Sequence, residues 1–228
     1  MSGYYLSILQ GAGLTVLVSL ASLLVAVALG FVGALAKLSR HRLAVALASL
    51  YTTLVRGIPD LVMMLLVFYG GTIGLNALLE AMGSTAVVDI EPFTAGMLTI
   101  GFIYGAYMTE TFRGAILAIP KGQAEAARAF GMGGFKVFYR ITLPQMVRYA
   151  LPGFTNNWLV LIKTTALISL IGLQEMTYIA KQASAATRSP FVFFLFTAAL
   201  FLIYTSASLW ALRRLGERFS LGVRRIGP

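Results

Sequence analysis

Residues 125–144 read Glu-Ala-Ala-Arg-Ala-Phe-Gly-Met-Gly-Gly-Phe-Lys-Val-Phe-Tyr-Arg-Ile-Thr-Leu-Pro, a basic, amphipathic stretch between strongly apolar runs. Just ahead of it, Pro120 is followed by good helix formers from Lys121 to Phe130, and Gly131 follows those. Proline near the start and glycine just past the end mark a short helix. Glu125 stands nearer its start and Arg128 nearer its end, as the helix dipole favours. Ala126, Ala127 and Ala129 leave one slim surface, suited to sliding into a groove. Almost everything on either side is built to sit in lipid, so this segment is where the chain meets something soluble.

The composition agrees. The chain has 228 residues, is 58% hydrophobic and has a mean hydropathy of +0.83, values of a polytopic membrane protein. A spanning helix needs roughly 20 mostly apolar residues. Five stretches qualify, at about 14–36, 58–79, 92–110, 149–174 and 190–212, giving a transmembrane domain over 13–212. Residues 43–55 are mixed in character and suit the interface ahead of the break at Arg56-Gly57-Ile58-Pro59-Asp60. Residues 110–148 form the hydrophilic loop and 213–228 a basic tail. No charged residue precedes Lys37. A secretory signal needs a basic flank and a shorter core, so the first apolar run reads as a retained helix.

Charge orients the spans. The segments on one side hold Lys37, Arg40, Arg42 and Arg56, six basic residues from Arg113 to Arg148, and five in the tail, 15 of the 18. The other side holds Lys181 and Arg188, and Lys163 falls within a span. Basic loops stay in the cytoplasm, so the N-terminus is expected outside and the tail and hydrophilic loop inside. The net charge of +10 therefore reports orientation, not nucleic acid.

Several chemistries are excluded. There is no cysteine and a single histidine, His41, so thiol catalysis, disulfides and histidine-rich metal sites are out. No Gly-x4-Gly-Lys-Ser/Thr stretch cradles nucleotide phosphates. Energy from ATP must come through a partner, and the chain itself is read as a non-catalytic subunit with no cofactor of its own.

The spacing Glu125-Ala126-Ala127-x3-Gly131-x9-Ile141-x-Leu143-Pro144 resembles the EAA loop of the membrane subunits of ABC importers. Seven positions over twenty residues make the pattern specific. Further likeness lies in Arg56 to Asp60, Gly105-Ala106-Tyr107 through Glu110-x-x-Arg113-Gly114, Tyr149 to Gly153, Asn156-Asn157-Trp158, and Lys163 to Leu167. Together these resemble the permeases of polar amino acid importers, above all the Q-type subunit of the histidine and lysine/arginine/ornithine system and its octopine and nopaline relatives. The resemblance covers nearly the whole chain. It implies an all-α type I ABC importer fold in a bacterial inner membrane. It also implies two ATPase subunits, a second permease (homologous or a copy of this chain), and a periplasmic substrate-binding protein. In that family the EAA helix, here Glu125, Ala126, Ala127, Arg128 and Gly131, docks in a cleft of the ATPase and transmits its closure. Basic amino acids or opines are the implied cargo. The rival is a self-contained channel or lipid-modifying enzyme, which needs no ATPase.

Intramembrane ionisable residues are candidates for the substrate path, because charge at mid-bilayer costs roughly 2.5–3.5 kcal/mol. Four stand out. Asp60 follows a proline break; it can counter a cationic substrate or serve as a helix-N-terminal acid. Glu110 pairs most simply with Arg113 at i,i+3. Lys163 can meet a carboxylate, or snorkel. Glu175 falls near the outer end, as a gate or a solvated acid.

Overall fold

In the computed structural model, residues 2–219 are described and every regular element is helical. Helix α1 (Ser2–Leu38) is 37 residues long, about 55 Å at 1.5 Å per residue. The expected span at 14–36 thus leaves out its first three turns. Its N-terminal part packs against α9 (Met176–Thr187) and, through Tyr4 and Tyr5, against Phe193 and Phe196 of α10 (Pro190–Phe219). There Ile8 and Phe193 are fully buried, and the Tyr5 ring lies 5.5 Å from that of Phe193. Gly11 permits the approach, since a Cβ there would come within 2.9 Å of the Met176 amide.

The mixed segment at 43–55 is a regular helix, α2 (Arg42–Gly57). It ends at Ile58-Pro59, where both residues are extended, as proline demands of the residue before it. The next apolar segment is α3 (Asp60–Leu65), a π-helical turn at Leu66–Gly70, and α4 (Gly71–Ala81).

Helix α5 (Pro92–Leu117) is the axis of the molecule, with half of its 26 residues buried. It runs parallel to α1, with Gly101 against Val25 and Gly30 against Met108, close approaches of the kind small residues allow in lipid. It runs antiparallel to α8 (Leu143–Thr164), which meets it from Gly153 against Thr111 to Thr164 against Tyr104. Among the described residues, four helical segments are long and apolar enough to cross a membrane: Gly3–Leu38, Asp60–Ala81, Gly134–Ile171 and Pro190–Phe219. Helix α5 is long enough but less apolar. The reason is its position: protein rather than lipid covers it, so glycine, threonine and tyrosine replace leucine along its faces.

The hydrophilic stretch at 110–148 is itself largely helical. Helix α5 continues to Leu117, and a continuous helical run from Gly134 reaches Ile171. That run comprises α7 (Gly134–Val137), a π-helical turn (Phe138–Thr142), α8, and a 3-10 turn (Thr165–Ile171) closed by Gly172 at φ +94°. Sequence periodicity gave no sign of α9. Arg213, Arg214 and Arg218, assigned to the tail, belong to α10; Arg224 and Arg225 lie outside the described residues.

Candidate functional site

Between α5 and α8 stands α6 (Lys121–Ala129), at the end of the bundle opposite the N-terminus. Pro120 is its N-cap residue. At its C-terminus Gly131 has φ +79°. The Gly131 amide donates to Arg128 O at 2.9 Å and the Met132 amide to Ala127 O at 3.1 Å. These two bonds are a Schellman motif, which closes a helix through one left-handed residue. Glu125, Ala126 and Arg128 are exposed, whereas Ala127 is buried against the body of the protein. Arg128 lies in the last turn, but Glu125 is fifth of nine residues, beyond the first turn where the dipole acts. A side-chain bond ties α6 to α8: Gln145 Nε2 donates to Gln123 Oε1, and also to Ile141 O at 2.9 Å. Just past the helix, Phe130 is 89% exposed, an aromatic ring with no protein neighbour to cover it.

The second polar centre lies where α2, α3 and α5 meet, with Tyr104 buried, Asp60 half-buried and Arg56 exposed. Asp60 begins α3, so its carboxylate sits at a helix N-terminus, and the break at Pro59 separates it from α2. Tyr104 of α5 donates to Asp60 Oδ2 at 3.3 Å, and its hydroxyl lies 2.6 Å from Thr164 Oγ1 of α8. The Tyr107 ring is 5.6 Å from that of Tyr104, and the Arg56 guanidinium sits over Tyr107 at 5.3 Å. A carboxylate and a guanidinium therefore flank a pair of tyrosines. Sequence reading singled out Asp60 but not Arg56 or Tyr104, because the side-by-side placement of α2, α3 and α5 is a tertiary fact.

The other candidates lie elsewhere. Glu110 is held by Lys37 of α1 as well as Arg113, and Lys37 also donates to Thr52 of α2 at 2.6 Å. This half-buried network joins three helices and occupies the Glu110 carboxylate with protein cations. Lys163 is exposed on α8 and lines a shallow groove with Leu202, Thr205 and Ser206 of α10. Glu175 is not solvated: it is fully buried. It caps α9, accepting from the Tyr178 amide at 2.9 Å and from Thr15 Oγ1 of α1 at 3.0 Å. Burial pushes its carboxyl above the usual range, with these hydrogen bonds opposing the rise. Among the described residues, no group of three metal-ligating side chains gathers.

Residues 26–219 match the family model described as binding-protein-dependent transport system inner membrane component. The chain is 50% identical to the histidine/lysine/arginine/ornithine transport system permease protein HisQ of Escherichia coli K12, over 96% of this chain and 95% of that protein. It is 42% identical to the octopine transport system permease protein OccQ of Rhizobium meliloti, over 98% and 94%. Its fold is similar to a chain in the crystal structure of an amino acid ABC transporter with histidines, at TM-score 0.80 and 28% identity, covering 96% of both chains. A chain of the MetNI methionine ABC transporter has the same fold at TM-score 0.73 and 17% identity. With the family model matching most of its length and half of its residues shared with HisQ, this chain belongs to the inner-membrane permease components of binding-protein-dependent ABC importers.

Proposed function

We propose that this permease subunit carries basic amino acids or their opine conjugates into the cytoplasm, driven by ATPase subunits that grip α6. The observation that carries the cargo class is the Asp60 carboxylate, facing Tyr104 at a broken helix within the bundle. Transporters place ligand groups at such breaks. A carboxylate there offers a counter-charge to a cationic side chain or ammonium group, and Arg56 beside Tyr107 offers one to the α-carboxylate. HisQ, a histidine/lysine/arginine/ornithine permease, and OccQ, an octopine permease, support the same class.

On this reading the chain crosses the inner membrane five times, α5 serving as the third crossing. The N-terminus and α9 face the periplasm and the substrate-binding protein. The loop with α6 and the end of α10 face the cytoplasm. The permease is one half of the path, completed by a second permease, and two ATPases sit beneath. Glu125, Ala126, Arg128 and Gly131 make the ATPase contact while Ala127 seats the helix on the body of the protein: a short helix, rigidly closed at Gly131 and bonded through Gln123 to α8, moves as one body with the spans. ATP binds only to the partner, since this chain has no phosphate-cradling loop.

Reconstitution of the permeases, ATPases and binding protein in liposomes tests the proposal. Uptake of lysine, arginine, histidine, ornithine or octopine should require ATP and the binding protein. Uptake of neutral amino acids alone would overturn the cargo assignment. Transport by this chain without an ATPase would overturn the coupled mechanism and favour a self-contained channel.

A further inference from the structure

Between α1, α5, α8 and α10, toward the end of the bundle that carries α6, lies a cavity of about 300 Å³. Its walls include Phe31 of α1, Phe112 of α5, Met146, Ala150 and Leu151 of α8, and Leu215 of α10, and every lining side chain is apolar. Phe112, Met146 and Ala150 are buried on its inner wall, while Leu215 on the rim is 41% exposed. The space is open on one side and reaches into the interior.

Physical chemistry narrows the occupant. The volume exceeds the ~30 Å³ that one water takes up, yet water needs two to four polar partners and would find none. A polar amino acid would lose its hydration for nothing in return. An extended peptide would leave its backbone groups unsatisfied in a lipid-level cavity. A hydrocarbon chain fits all three constraints. The basic residues beside the rim add a second observation. Arg148 stands one helical turn from Leu151, and Arg218 one turn beyond Leu215; neither forms an ion pair among the described residues. The Arg148 guanidinium lies over the Tyr149 ring at 5.6 Å, and Arg218 lines a neighbouring groove with Trp210 and Glu217; apolar walls beside two guanidinium groups without an ion pair complement an acyl chain below a phosphate.

We propose that this cavity seats one acyl chain of an anionic phospholipid from the leaflet on the α6 side, its phosphate held by Arg148 and Arg218. The lipid fills the gap between α8 and α10, and so steadies the spans that carry the motion of α6.

The test uses the assembled importer purified in mild detergent, with native mass spectrometry read against added phosphatidylglycerol or phosphatidylcholine. The wild-type complex should retain phosphatidylglycerol on each copy of this permease. Ala150→Phe, which fills the cavity, should remove it. The surface double variant Arg148→Gln/Arg218→Gln leaves the interior untouched; it should weaken phosphatidylglycerol binding by about fivefold per arginine and leave phosphatidylcholine binding unchanged. A photo-reactive residue in place of Leu215 should label lipid. Equal phosphatidylglycerol retention by wild type and both variants would overturn the proposal. So would the absence of retained lipid from the wild type, or labelling of the second permease from position 215.

Discussion

Replacing Gly131 by valine tests how α6 communicates with its partner, and the structure separates the possible costs. At φ +79° the residue is left-handed, a conformation that costs a side-chain-bearing residue roughly 1–2 kcal/mol and a β-branched one the most. A Cβ built there meets nothing within 4 Å, so no internal overlap adds to the strain. If the turn gives way instead, the bonds from Gly131 N and Met132 N to Arg128 O and Ala127 O are lost, each contributing about 0.5–1.5 kcal/mol. Either way the loss is a few kcal/mol at one exposed turn, against a stability of roughly 5–15 kcal/mol, and the permease should still insert and fold. What changes is the direction in which the chain leaves α6. Gly131→Val should therefore express normally, yet capture less ATPase in a pull-down or lose the stimulation of ATP hydrolysis by loaded binding protein in liposomes. Gly131→Asn divides the causes, because asparagine tolerates the left-handed region. If asparagine restores coupling, the backbone angle is what matters; if it does not, the partner needs the bare surface. Wild-type pull-down and wild-type stimulated hydrolysis in the valine variant would refute α6 as the coupling element.

Other perturbations reach different parts of the fold. A reporter active only in the cytoplasm should work after Pro228 or near Gln123 and fail near Thr85; the opposite pattern would overturn the five-crossing topology. Asp60→Asn keeps the Tyr104 hydrogen bond but removes the charge, so vesicle uptake of cationic substrates should fall while the complex still assembles, and unchanged kinetics for all of them would remove Asp60 from the site. Gly30→Val would drive its side chain into Met108 and the Met108–Thr109 backbone of α5; overpacking of this kind costs roughly 1–3 kcal/mol or more, and the yield of intact complex after detergent extraction should drop. The raised pKa of Glu175 means that its ionised form is the less stable one in the fold. Stability should fall as pH rises from the ordinary carboxylate range through the raised value, a slope that Glu175→Gln should remove. Glu175→Ala leaves the Tyr178 amide without its cap, and the melting temperature in detergent should drop by the equivalent of about 0.5–2 kcal/mol.

The contrast between Gly131 and Glu175 shows which parts of the molecule can be read along the chain. The end of α6 is fixed by neighbours in sequence: Pro120 opens the helix, Gly131 closes it, and both bonds of the closing turn span five residues or fewer. Such features need no knowledge of the fold. Glu175 is different, because the hydroxyl that helps to satisfy it belongs to Thr15, 160 positions away, and no local pattern distinguishes a buried cap from a solvated acid beside a span. Glu110 shows both at once. Its bond to Arg113 follows from i,i+3 spacing, whereas its bond to Lys37 comes from 73 positions away. The same divide explains the spans. Hydropathy finds segments that face lipid, as in Pro190–Phe219, but understates α5, whose neighbours are other helices. The span read at 14–36 also leaves out the first turns of α1, where tyrosine, serine and glutamine dilute a surface that α9 and the Phe193 and Phe196 rings of α10 cover. The hidden features are those in which protein stands where lipid or water would otherwise be. Asp60 likewise meets Tyr104, and Arg56 meets Tyr107, only once α2, α3 and α5 are packed.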